Sequence, residues 1–252
     1  MVLLDLDGVV WLSGVPIPGS VEAVARLRAS GRRVVFVTNN SGARLGDQEA
    51  ALAAIGIPAT GDVMTSAIAA AALLERGQRV LTCGGPGVAE AVTAIGATPI
   101  PGDDPAGEHS DVVVVGFHRE FDYERLRIAA TGVRNGARLI GTNDDPTYPT
   151  PQGPIPGGGS ILAAVRTASD ADAVIAGKPH PPMATAITSM IGDVPSSELL
   201  MVGDRPSTDG RFAVTLGCPF ALVRSGVTPP DTTVDVPVGI DASNLAAVVD
   251  SI

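Results

Sequence analysis

Eight short apolar runs recur along this chain with helical patterns between them. They lie at Val2–Asp5, Val34–Thr38, Val80–Cys83, Val112–Gly116, Leu139–Thr142, Ala173–Ala176, Leu199–Gly203 and Phe220–Val223. Each is as long as a strand and too short for a helix. Between them apolar residues return at helical spacing, as in Leu126, Ala129, Ala130 and Val133, or Met183, Ile187, Met190 and Ile191. Strands that read as unbroken hydrophobic runs and alternate with helices belong in a parallel sheet covered on both faces. The fold class expected is α/β, a Rossmann-like parallel-sheet core. Aromatic residues make up only 3% of the 252 residues, so that core has to be built from Ala, Val, Leu and Ile.

In such sheets ligands bind beyond the carboxyl ends of the strands. Four of these strand ends carry polar groups. After the first come Asp5-Leu6-Asp7-Gly8; after the second, Thr38-Asn39-Asn40; after Ala173–Ala176, Gly177-Lys178-Pro179; after Leu199–Val202, Gly203-Asp204-Arg205 and then Thr208-Asp209. Two carboxylates one residue apart at a strand end are costly to bury without a positive partner. Phosphoryl transfer needs a nucleophile, a cation, donors for the non-bridging oxygens and an acid for the leaving oxygen. Asp5, Asp204 and Asp209 offer hard oxygen ligands suited to Mg²⁺. Thr38 offers a hydroxyl, Asn39 a backbone N–H, and Lys178 a point charge that reaches both phosphate and carboxylate.

With these segments in this order the chain resembles the haloacid dehalogenase (HAD) superfamily of phosphohydrolases. It is more narrowly similar to the branch with NagD, the p-nitrophenylphosphatases, phosphoglycolate phosphatase and pyridoxal phosphatase. That match rests on Asp7-Gly8-Val9-Val10-Trp11, Thr38-Asn39-Asn40-Ser41, Thr142-Asn143-x-Asp145, Pro156-Gly157-x-Gly159-Ser160 and Gly177-Lys178-Pro179. The resemblance implies a Mg²⁺-dependent phosphatase of small-molecule phosphate monoesters. Asp5 would form an aspartyl-phosphate, and Asp7 would serve as general acid and base and ligate the metal through its carbonyl. Thr38 and Lys178 would hold the phosphoryl group. Asp204 would ligate the metal, and Asp209 would orient a metal-bound water. The competing reading is a receiver-like module that accepts phosphate without turnover, but receivers are about half this length.

Spacing places a second unit. Asp5 and Thr38 are 33 residues apart, room for one helix and one strand, whereas 140 residues separate Thr38 from Lys178. After allowing for crossover elements, roughly 95 residues remain, enough for a separate α/β domain. The expected division is core 1–77, a large (C2-type) cap 78–175, and core 176–252. Within the cap, Asn143, Asp145 and Tyr148 are expected at the substrate's non-phosphate part, with the register between Asp144 and Asp145 open by one. Residues 146–159 hold five Pro and four Gly, a stretch expected to be neither strand nor helix.

A formal net charge of −10 argues against nucleic acid and anionic membranes as partners. The two cysteines, Cys83 and Cys218, supply no disulfide framework. The longest apolar run, Ala67 to Leu74, falls far short of the ~20 residues of a membrane span. A soluble cytoplasmic protein is expected, acting on a small phosphorylated metabolite and possible as a homodimer.

Overall fold

Two parallel sheets organise the protein in the computed structural model, which describes residues 1–12, 14–150 and 152–252. The first has the strand order 240–242, 220–223, 200–203, 2–4, 34–38, 63–65, with every neighbouring pair parallel. From Val2–Leu4 the chain steps outward through Val34–Thr38 to Val63–Thr65. It returns much later to Leu200–Gly203 on the other side and steps outward again. The order therefore reverses between Val2–Leu4 and Leu200–Gly203, and the crevice at that reversal lies between Asp5 and Asp204. The second sheet has the order 174–175, 138–141, 112–115, 79–83, 98–101, also all parallel. It takes its strands from between Arg79 and Ile175.

Alternation along each strand divides the core. Val2, Leu4, Val34 and Phe36 face the helices Ser20–Ala29 and Leu245–Val249 through Ala23, Val24, Leu27, Leu245 and Val248. Leu3, Val35 and Val37 point the other way, to Met183, Ile187 and Phe212. That second cluster does not stop at the first sheet. It continues through Ala67, Ala69, Ala70 and Ala71 of the helix Ser66–Ala71 to Val80, Val112, Val114 and Ile140 of the second. Small Ala side chains permit the close approach that an aromatic-poor chain requires. A third cluster, with Leu81, Val113, Val115 and Leu139, covers the far face of the second sheet beneath the helices Tyr123–Arg134 and Gly158–Ser169.

All eight apolar runs form strands. In the two parallel sheets the strands not expected from the sequence are Val63–Thr65 and Thr98–Pro101, each at a sheet edge, and Ile240–Ala242, which closes the other edge of the first sheet; a small antiparallel pair, Trp11–Leu12 with Val15–Pro16, is not expected either. Edge strands make fewer contacts and carry weaker apolar signatures; Thr98–Pro101 even contains two prolines, tolerable where no partner needs the N–H. The stretch 146–159 differs from expectation too. Thr147–Tyr148 pairs antiparallel with Ile155–Pro156, and a helix starts at Gly158. A two-residue ladder tolerates Pro at its rim, and the glycines let the helix start against other backbone. Pro151 lies outside the described residues.

Phe36 is fully buried on the strand Val34–Thr38, between Val2–Leu4 and the edge strand Val63–Thr65. Phe36→Ala is expected to lower unfolding free energy by about 3–5 kcal/mol, measured by urea denaturation.

Candidate active site

All seven core residues singled out from the sequence, Asp5, Asp7, Thr38, Asn39, Lys178, Asp204 and Asp209, line one cavity of about 70 Å³. Each arrives on a strand end or the turn beyond it. The local backbone explains the motif around Asp5. Gly8 has φ +90°, and a Cβ there would strike the Asp204 carboxylate, so only glycine fits.

Lys178 is the electrostatic centre. It is 1% exposed, and its Nζ donates at 2.7 Å to Asp5 Oδ1 and at 2.7 Å to Asp209 Oδ1. Burial alone would pull its pKa down, but Asp209 and Asp5 outweigh that and hold the ammonium above its ordinary range. Burial raises the Asp5 carboxyl well above the usual carboxylate value, against the opposing pull of Lys178. Asp204 is pushed up to about 7 by burial and by the nearby charge of Asp209. Crowding adds to burial: carboxylate oxygens of Asp5, Asp204 and Asp209 lie within 4.8 Å of one another. Three carboxylates around one ammonium leave surplus negative charge on hard oxygen donors, a donor set that fits a hard divalent cation.

The phosphate-binding candidates are fixed as well. Thr38 Oγ1 accepts from Asn40 N–H at 3.0 Å. The Asn39 side chain grips the Lys178 backbone, accepting from its N–H at 2.8 Å and donating to its carbonyl at 3.0 Å. Of the cap candidates, Asn143 is 3% exposed and donates to the Asn39 carbonyl at 2.8 Å. The register ambiguity resolves: Asp145 faces the cavity and accepts from Asn39 Nδ2 at 2.8 Å, whereas Asp144 turns outward to His180 Nε2 at 3.0 Å. Arg205 lies 3.3 Å from Asp145 as an ion pair. Tyr148 stacks on Phe117 with ring centroids 5.0 Å apart, and the two rings wall the cavity.

Two contributors were not identified from sequence. Phe117 follows the strand Val112–Val115. Ser225-Gly226-Val227-Thr228 follows Phe220–Val223 and clamps Asp204: Val227 N–H donates to Asp204 Oδ2 at 2.6 Å and Thr228 Oγ1 to its carbonyl at 2.6 Å. Ser225 Oγ holds the Gly8 carbonyl at 2.7 Å. A Cβ at Gly226 would collide with the Asp204 carboxylate. The strand-end rule, applied to every recognised strand rather than to four, points to both segments.

The model for haloacid dehalogenase-like hydrolases matches residues 2–98, and a second HAD-hydrolase-like model matches residues 175–252. The chain belongs to the haloacid dehalogenase-like hydrolases. Within them it falls in the NagD-like phosphatase branch. It is 39% identical over 230 residues to a D-glycerol 3-phosphate phosphatase of Mycobacterium tuberculosis, covering 89% of this chain and 63% of that protein, less than two thirds of its length. It is 34% identical to an acid sugar phosphatase of Staphylococcus saprophyticus, covering 90% and 86%. The structure superposes on the p-nitrophenyl phosphatase from Archaeoglobus fulgidus with a TM-score of 0.91 at 26% identity, covering 100% and 98%. It superposes on a glycerol phosphate phosphatase from M. tuberculosis in complex with magnesium with a TM-score of 0.81 at 38% identity, covering 90% and 68%.

Because a side chain at 226 displaces the Asp204 carboxylate, Gly226→Ala is expected to weaken divalent-cation binding by about 10–100-fold. Isothermal titration of the apo-protein with Mg²⁺ measures it, with circular dichroism as the check on folding.

Proposed function

We propose that this protein is a Mg²⁺-dependent phosphatase of small phosphate monoesters that works through an aspartyl-phosphate on Asp5. The observation that carries the reading is the buried Lys178 bridging Asp5 and Asp209 at 2.7 Å each, beside Asp204, in a cavity that also holds Asp7 and Thr38. In this reading residues 78–175 act as a cap over a core of 1–77 and 176–252, and the enzyme works in the cytoplasm.

Mg²⁺ would be held by Asp5, Asp204 and the Asp7 carbonyl, with Asp209 alongside. When bound it supplies positive charge against that of the phosphoryl group. Lys178, donating to Asp5 Oδ1 at 2.7 Å, pulls against the burial that raises the Asp5 carboxyl and so favours its ionised, nucleophilic form. The Asp5 oxygen bonds to phosphorus as the P–O bond to the leaving group breaks, and Asp7 gives its proton to the departing oxygen. Asp7, now a carboxylate, takes a proton from the water that attacks the phosphoryl group. The Asp5–phosphorus bond then breaks, inorganic phosphate leaves, and both carboxyls return to their starting states. Thr38 and Lys178 hold the non-bridging oxygens throughout. With Asp7 present for the second step, turnover is favoured over a receiver-like storage of phosphate.

The cavity supports a small-molecule leaving group. Phe117 and Tyr148, stacked on each other, line it beside the phosphate-binding candidates and offer an apolar wall to the substrate's non-phosphate part. The relatives' names, a D-glycerol 3-phosphate phosphatase, an acid sugar phosphatase and a 5'-nucleotidase, agree with small phosphate monoesters as the substrate class.

A phosphate-release assay over p-nitrophenyl, glycerol, sugar and nucleoside phosphates tests the proposal. Activity is expected only with divalent cation, lost in EDTA and restored by Mg²⁺. Asp5→Asn is expected to reduce kcat by at least about 10³-fold, and full turnover in that variant would refute the nucleophile. Thermal unfolding of the wild type should shift upward with Mg²⁺, corresponding to about 2.7 kcal/mol at a hundredfold excess over Kd.

A further inference from the structure

The hydrogen bonds around Lys178 close into a ring, and one member of the ring comes from the cap. Asn39 Nδ2 donates to Asp145 Oδ2 at 2.8 Å. Asn39 Oδ1 accepts from the Lys178 backbone N–H at 2.8 Å. Lys178 Nζ donates to Asp209 Oδ1 at 2.7 Å. Asp209 Oδ2 accepts from the Arg205 backbone N–H at 3.1 Å. Arg205 Nη1 returns to Asp145 Oδ1 at 3.3 Å, with Thr208 Oγ1 at 3.3 Å on the same oxygen.

We infer that Asp145 is a positioning residue: it does not read the substrate's leaving group but closes this ring, so that cap closure itself sets the placement of Lys178 against Asp5. The inference rests on the phosphatase reading of the site. Both Asp145 oxygens are engaged by core groups. A carboxylate turned toward an incoming phosphoryl group would repel it, whereas one neutralised by Arg205 and bonded to Asn39 and Thr208 does not. The flanking residues act in the same sense. Thr142 Oγ1 donates to Ser41 Oγ at 2.9 Å, Asn143 Nδ2 to the Asn39 carbonyl at 2.8 Å, and His180 meets Asp144 at 3.0 Å. Four consecutive cap residues thus bind the core at the rim of the site. Of these, Asp145 reaches both arms of it, the Asn39 side and the Arg205 side. Buried polar networks of this kind act as a unit, and each link restricts the direction of the next.

The test compares wild type, Asp145→Ala and Asp145→Asn. With the ring opened, kcat/KM is expected to fall about 10–100-fold, by the same factor for p-nitrophenyl phosphate, glycerol 3-phosphate and a sugar phosphate. The deficit lies at the phosphoryl group that all three share. The inhibition constant of inorganic phosphate should rise in parallel. Asp145→Asn keeps an acceptor for Asn39 and is expected to recover part of the loss. Asn39→Ala combined with Asp145→Ala should be no worse than Asn39→Ala alone, since both break one ring. A loss that varies more than tenfold with the leaving group and leaves phosphate inhibition unchanged would overturn the inference in favour of substrate contact. Hydrogen exchange of the Lys178 backbone amide, followed by NMR in the Mg²⁺-loaded protein, decides independently of turnover. It should quicken in Asp145→Ala, and an unchanged rate would overturn the ring. If wild type hydrolyses no ester, the phosphatase reading fails by itself and the exchange result still judges the ring.

Discussion

The site depends on one buried ammonium. Lys178 sits with Asp5 and Asp209, and Asp204 lies within reach of both carboxylates. In water such a triad would gain little, but in a site closed by two sheets the charges are poorly screened. Without the ammonium, three carboxylates would stand together with their desolvation uncompensated. With it, the ionised form of Asp5 gains a partner at a place where burial opposes ionisation. The neighbours of Lys178 all serve that placement. Asn39 fixes its backbone, the Arg205 backbone N–H steadies Asp209, and the Gly226–Thr228 segment aims Asp204.

The parallel topology explains why residues so distant in sequence meet. Asp5 and Lys178 are joined across 173 positions. The first sheet reverses its direction of growth between Val2–Leu4 and Leu200–Gly203, which opens a crevice at their carboxyl ends. The long excursion between Thr38 and Lys178 builds the second sheet and brings Asn143, Asp145 and Tyr148 over that crevice. Neither sheet by itself encloses the cavity.

Much of this was legible in the sequence because the signals were strong. Fully buried strands such as Val34–Thr38 declare themselves as unbroken apolar runs. Carboxylates at Asp5, Asp7 and Asp204 declare themselves because buried charge is rare without a purpose. The misses share a physical origin. Thr98–Pro101 and Ile240–Ala242 lie at sheet edges, where half the contacts are missing and the pattern is diluted. Gly226 matters through the absence of a side chain, which composition does not reveal. Asp145 was recognised as a site residue, but its partners Asn39 and Arg205 lie 106 and 60 positions away. Only tertiary structure shows that its oxygens are already occupied.

The alanine-rich helix Ser66–Ala71 has a consequence of its own. Its side chains belong to a single apolar cluster that includes Leu3 and Val35 of one sheet and Val80 and Val112 of the other. Two sheets joined only by bare linkers would unfold independently. Here the two halves share an interior, so heat or denaturant that loosens one withdraws support from the other. Phe117 and Tyr148 take no part in this common seam, so changes at those two rings leave the shared interior untouched.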